Sequence, residues 1–305
     1  MFKSQISNRV DSLTQIDWAN AQWVGWPLAL GSVMATSIIT PLARGLILGG
    51  MHPAFLLSIR LIITSVLLIS TFAILSPRKL RLDRKGFLTV SGIGLIGGFE
   101  ICCFFWSLSW LDSSIAAMLK TIQPLAVLLL LRLGGEPLTL RHGVRLLLAI
   151  GGVYLLVGPG GSVAPMGIVL IALSIVLYAL QIVFTQWYLG PYPSTTVTTY
   201  MLVTMNVVVL LWWGGLDIGW YNPGINGWII LIVLAVVSTY FARLALYAAI
   251  PRIGSGQISL LWPVQMFLAV ILSVIFLQEE LSIIQWLGGS LILSSAILAI
   301  EKLRI

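Results

Sequence analysis

Five ionisable side chains stand inside long apolar runs: Arg44, Arg60, Glu100, Lys120 and Arg243. A charge at the centre of a membrane span costs about 2.5–3.5 kcal/mol on insertion scales, which makes each a functional candidate. At about 1.5 Å per residue, Glu100 lies roughly 15 Å and Lys120 roughly 10 Å from the nearer end of its run. Gln123 is one turn deeper on the face of Lys120. Tyr178, Gln181 and Thr185 form a stripe at i, i+3 and i+7, and Tyr240, Arg243 and Tyr247 repeat that spacing. Trp262 and Gln265 continue a similar surface, and a polar stripe on an apolar helix should face protein or water. Trp106 and Trp262 lie deeper than the tryptophans that flank spans and offer flat surfaces for stacking. Four cations against one carboxylate leave capacity for an anionic group, such as the carboxylate of an amino or organic acid. Glu100 is either a coupling-proton site or a counter-ion.

Structural roles compete with this reading. Arg44 and Arg60 could snorkel to headgroups or pair with loop acids such as Asp112, Arg243 could snorkel to the opposite surface, and Lys120 and Glu100 could be a purely structural ion pair. Pro124 and Pro263, which recur at related places, and Pro41 are either hinges or tolerated kinks. Catalysis has less to build on. His52 and His142 fall on opposite sides of the membrane, Cys102 and Cys103 are adjacent in an apolar run, and no metal-ligand spacing occurs. No enzyme activity, metal or cofactor is expected.

The elements that position these residues are membrane helices. Hydrophobic residues make up 59% and charged residues 9% of the 305, with mean hydropathy +1.03, against roughly 25% charged in soluble domains. The apolar runs give ten spans: Trp23 to Leu48, Ala54 to Leu75, Phe87 to Trp110, Ser113 to Leu133, Leu140 to Val157, Pro165 to Tyr188, Thr195 to Trp213, Gly227 to Ala249, Ser255 to Leu277 and Ser282 to Ile300. Of the 17 Lys and Arg residues, all but the four intramembrane cations fall at the N-terminus, in alternate gaps or at the span ends beside them, or at the C-terminus. Positively charged loops stay cytoplasmic, which places both termini inside a plasma (inner) membrane. It also explains the net charge of +7 without a nucleic-acid partner. Residues 1–22 read as a cytoplasmic tail.

The chain also repeats. Glu136-Pro137-Leu138-Thr139 returns as Glu279-Glu280-Leu281-Ser282, and Trp106 with Leu111-Asp112-Ser113-Ser114 is echoed by Tyr247 with Ile253-Gly254-Ser255-Gly256. Each acidic turn places Thr or Ser where it can cap the next helix. A unit of five spans repeated once must insert upside down the second time, the plan of many secondary transporters. The units run from 23 to 158 and from 165 to 301.

With these residues the chain resembles the EamA-type branch of the drug/metabolite transporter (DMT) superfamily. The likeness rests on Pro41-Leu42-Ala43-Arg44, His52-Pro53 with Arg60, Phe104-Phe105-Trp106, and Gln123-Pro124 through Gly135-Glu136-Pro137-Leu138. In the second half it rests on Gly167 to Tyr178, Tyr200, Tyr247 and Glu279-Glu280-Leu281. It departs at Gln278-Glu279, where that family more often has Gly-Glu. The resemblance implies an all-α membrane protein of ten transmembrane helices in two inverted five-helix repeats around a central cavity. It implies export or exchange of small metabolites, commonly amino acids. The excess positive charge and the aromatic residues point to an amino acid or similar small molecule with an aromatic or bulky apolar side chain, with protons as a candidate coupling ion. A proton-coupled multidrug or cation exporter is the alternative, and a lipid-handling protein or membrane scaffold a more distant one.

Overall fold

The computed structural model describes residues 18–75, 82–133, 140–157, 164–189, 192–216, 218–253 and 261–297. No strand occurs among them. Helices are what long apolar runs must form, because hydrocarbon leaves backbone N–H and C=O groups only partners within the segment. The protein is an all-α membrane protein of two inverted repeats.

In the first half, span one is two helices, Trp18–Ser37 and Ile39–Leu48, followed by span two (Pro53–Leu75) and span three (Arg84–Ser107). Span four is again two helices, Ser113–Lys120 and Gln123–Leu133, and span five is Leu140–Val157. In the second half, spans six and seven are Pro165–Tyr188 and Ser194–Gly215. Span eight runs through Gly224–Ile232, a π-helical segment Val233–Phe241, and Ala242–Ile253. Spans nine and ten are Trp262–Leu277 and Ile283–Ile297. Six of these segments are long and apolar enough to cross a membrane unaided. The helices of the bundle expose Ile74, Leu147, Leu211, Ile225 and Ile283, a surface suited to lipid.

Several boundaries differ from expectation by a few residues, among them the start of span three at Arg84 and span eight, which runs from Gly224 to Ile253. The first helix starts at Trp18, inside the segment read as tail, because Trp-Ala-Asn-Ala-Gln carries no helix-breaking residue. Span three ends at Ser107 rather than Trp110, where Leu108 to Trp110 form a turn. The prolines account for both broken spans. Pro41 withholds the N–H that would bond the Ser37 carbonyl, and span one breaks at Ile38. Pro124 withholds it from Lys120, and span four breaks at Thr121 and Ile122.

The most extensive helix packings all join one half to the other: five with ten, three with six and seven, eight with one and two, two with seven, four with nine. The pairs three–six and eight–one are equivalent under exchange of the halves, and so are three–seven and eight–two. Close contacts repeat the relation. A Cβ on Gly25 would lie 2.6 Å from Ile253, and one on Gly167 would lie 2.6 Å from Leu111. Glycines and partners are both separated by 142 residues. At the same offset Ser32 Oγ donates to the Ala242 carbonyl at 2.8 Å, as Ser174 Oγ donates to Glu100 Oε1 at 2.9 Å.

At the end of the molecule away from the basic loops, the halves are clasped by Glu279. The Ser113 N–H donates to its Oε1 at 2.8 Å and the Ser114 N–H to its Oε2 at 2.9 Å, so a carboxylate of the second half satisfies the first orphan donors of span four. Ser282 caps span ten in a reciprocal box with Gln285, at 2.9 and 3.2 Å. The Glu136 turn lies outside the described residues.

Candidate functional site

Span three carries Glu100 inward because its glycine face lets it approach spans six and seven. A Cβ on Gly97 would meet Gln181 Nε2 at 2.6 Å, and one on Gly98 would meet Val208 at 2.6 Å. Small residues at a helix interface allow such close backbone approach in a membrane. Lys120 is the last residue of its half-helix, where the carbonyl dipoles favour a cation. Its Nζ donates to Glu100 Oε1, which also accepts from Ser174. The two side chains are 9% and 8% exposed, so the pair is desolvated rather than washed by solvent. Lys120 Nζ stands 4.2 Å from the centroid of Phe104 and 5.6 Å from that of Tyr178. A charged pair, a hydroxyl and two aromatic faces therefore converge where span four is broken.

A second group faces it from spans two and eight. Arg60 is buried, and it does not snorkel. Its Nε donates to Thr239 Oγ1 at 2.9 Å, and its guanidinium lies 5.4 Å from the Phe105 centroid. Arg243 is one turn beyond Thr239, and its charge acts on both Arg60 and Tyr178. Tyr240 turns away toward Thr71, at 2.6 Å between hydroxyl oxygens. Gln123 is buried with Nε2 unpartnered.

Other expected site residues are elsewhere. Trp106 is 37% exposed and packs on Trp212 with centroids 5.9 Å apart. The early end of span three leaves it at the rim with the aromatic belt. Arg44 pairs with Asp112 at 3.4 Å and donates to the Leu108 carbonyl, which ties span one to the loop after span three. Gln181 faces Gly97 and Met201, and Gln265 is half-buried on span nine with its carbonyl bonded by Ser37 at 3.1 Å. The side chains of Pro124, Tyr247, Trp262 and Pro263 lie outside the described residues. Ser174 and Thr239 were not singled out in the sequence. Ser174 lies one turn before Tyr178 and extends its stripe, whereas nothing local marked Thr239.

A groove of about 410 Å³ between spans four and five is lined by Ile122, Leu125, Leu129, Ala149, Val153 and Tyr154. It offers almost no polar group to a solute, and none of the intramembrane charges lines it.

The asymmetry of the charges is informative. At the 142-residue offset Glu100 corresponds to Ala242, Lys120 to Trp262, Arg60 to Leu202 and Arg243 to Ile101, while Gln123 corresponds to Gln265. The scaffold accepts apolar side chains at the charged positions, so the charges are additions to a symmetric frame.

Comparison with known proteins agrees with this frame. The EamA-like transporter family matches over residues 23–158 and again over 165–300. A solved crystal structure shares the fold with a TM-score of 0.62 at 19% identity, over 94% of this chain and 99% of its own. No curated protein matches.

Proposed function

The chain belongs to the EamA-like transporter family, and from that premise we propose that it is a secondary transporter of amino acids or related small metabolites, an exporter or exchanger working by alternating access. Both termini lie on the cytoplasmic face of a plasma (inner) membrane, as the distribution of loop cations supports. The observation that carries the reading is the buried Lys120–Glu100 pair at the break in span four, against Phe104 and Tyr178. Broken helices with charged groups at depth, between inverted repeats, are where secondary transporters hold substrates. Aromatic surfaces nearby suit an aromatic or bulky apolar side chain. The rival cation exporter would need a free membrane carboxylate, and Glu100 is engaged by both Lys120 and Ser174.

The test is flux in proteoliposomes with amino acids, organic acids and cationic dyes, with and without an imposed pH gradient. Saturable flux of amino or organic acids is expected, and acceleration by the gradient would make protons the coupling ion. If organic cations compete and carboxylates do not, the substrate reading is wrong. Orientation is checked with engineered cysteines: one at Asn222 should react from outside and one at Lys85 only after permeabilisation, and the reverse would invert the topology.

A further inference from the structure

Two of the intramembrane cations are already neutralised, Lys120 by Glu100 and Arg44 by Asp112. Arg60 and Arg243 have no carboxylate within ion-pairing distance among the described residues. Arg60 is 5% exposed and its Nη1 is buried without a hydrogen-bond partner. A charged donor left bare in a membrane interior is costly, and the neighbouring charge of Arg243 adds to that cost. Architecture does not demand it, since the equivalent positions are Leu202 and Ile101. The surroundings are instead arranged around the guanidinium. Thr239, inside the π-helical segment, donates to the Leu234 carbonyl at 2.8 Å and so presents its lone pair to Arg60 Nε. Single π turns occur frequently at functional sites. Phe105 backs the guanidinium, leaving Nη1 as the open donor.

We infer that Arg60, assisted by Arg243, binds the anionic head group of the transported solute, a carboxylate, and that Lys120 does not. This rests on the transporter reading above and narrows it: the solute carries net negative charge, because two cations await it and the acid nearest them is taken. The guanidinium fork accepts a carboxylate through paired N–H donors. The aromatic faces of Phe104 and Tyr178, which flank Lys120, would take its apolar part.

The test uses the purified full-length protein with phenylpyruvate, phenylalanine, phenyl phosphate and tetraphenylphosphonium as probes, read by thermal stabilisation and by proteoliposome flux. Phenylpyruvate should stabilise the wild type more than phenylalanine does. In Arg60→Gln its apparent affinity should fall at least tenfold, with partial rescue in Arg60→Lys, and Arg243→Gln should weaken it less. The unliganded Arg60→Leu and Arg60→Gln proteins should melt no lower than the wild type, since an uncompensated charge has been removed. A purely structural arginine would lower the melting temperature and leave affinity alone, which would overturn the inference. So would stabilisation by phenyl phosphate without phenylpyruvate, or saturable carboxylate flux unchanged in both arginine variants. The last result would leave the transporter reading standing. Wild-type protein that moves none of the probes and none of the amino acids would overturn the transporter reading itself.

Discussion

Lys120 and Glu100 are held by each other, so removing one leaves the other bare. Breaking a buried pair costs about 3–5 kcal/mol. Lys120→Met should therefore abolish flux and lower thermal stability, whereas Lys120→Met with Glu100→Gln should recover most of the stability and none of the transport. Flux in the double variant at the wild-type rate would reduce the pair to a structural role. His52 gives a pH effect in the loop between spans one and two. Its Nδ1 accepts the Ala54 N–H at 3.1 Å at the start of span two, and burial holds its pKa below the usual 6.5. The folded state then binds fewer protons than the unfolded one. The cap's contribution is complete above pH 6.5 and is lost as pH falls through the lower folded value. Melting curves between pH 7.5 and 5 should show that loss in the wild type and not in His52→Asn; parallel curves would discount it. Depth along the chain singled out Glu100 and Lys120, whereas Arg60, which the sequence left free to snorkel, is buried. Depth could not say which cation meets which acid, because that depends on how spans far apart in sequence pack. Trp106 was assigned too deep for a local reason: its helix stops three residues early.

Among the elements, the turn after span nine combines two strategies. Gln278 closes the helix in the left-handed conformation, at φ 54° and ψ 35°, the conformation that glycine adopts without steric cost. That explains why related chains more often have Gly there and why Gln is tolerated: the geometry is kept, at about 1 kcal/mol of strain. Gln278→Gly should raise stability by about that amount, seen as a higher melting temperature, and an unchanged or lower value would refute the strain. The next residue, Glu279, caps span four across the molecule. The sequence showed an acidic turn and a Ser able to cap span ten, and Ser282 does so with Gln285. It did not show Glu279 reaching 165 residues back to Ser114. The broken spans were visible as Pro41 and Pro124, while the π segment of span eight has no proline to announce it.

At the scale of the molecule, the repeat was legible because turn motifs recur at nearly constant spacing, and the odd number of spans in each unit supplies the inversion. The partnering of spans was not legible, since equivalence between halves does not say who touches whom. Spans three, six and seven form one group and eight, one and two the other, each drawing helices from both repeats. Glu100, Ser174 and Tyr178 belong to the first group, and Arg60, Thr239 and Arg243 to the second. Helices that cling to the opposite repeat more than to their own make this chain resemble a two-subunit assembly whose subunits happen to share a peptide bond. Severing it in the Gly158-Pro159-Gly160-Gly161 segment and translating the pieces from separate messages should give neither a stable first half nor a stable second half alone. Produced together, the fragments should find each other in the bilayer, co-purify and restore flux, as an antiparallel heterodimer would. A first fragment that accumulates by itself as a folded monomer would show that the linker, not mutual packing, holds the halves together.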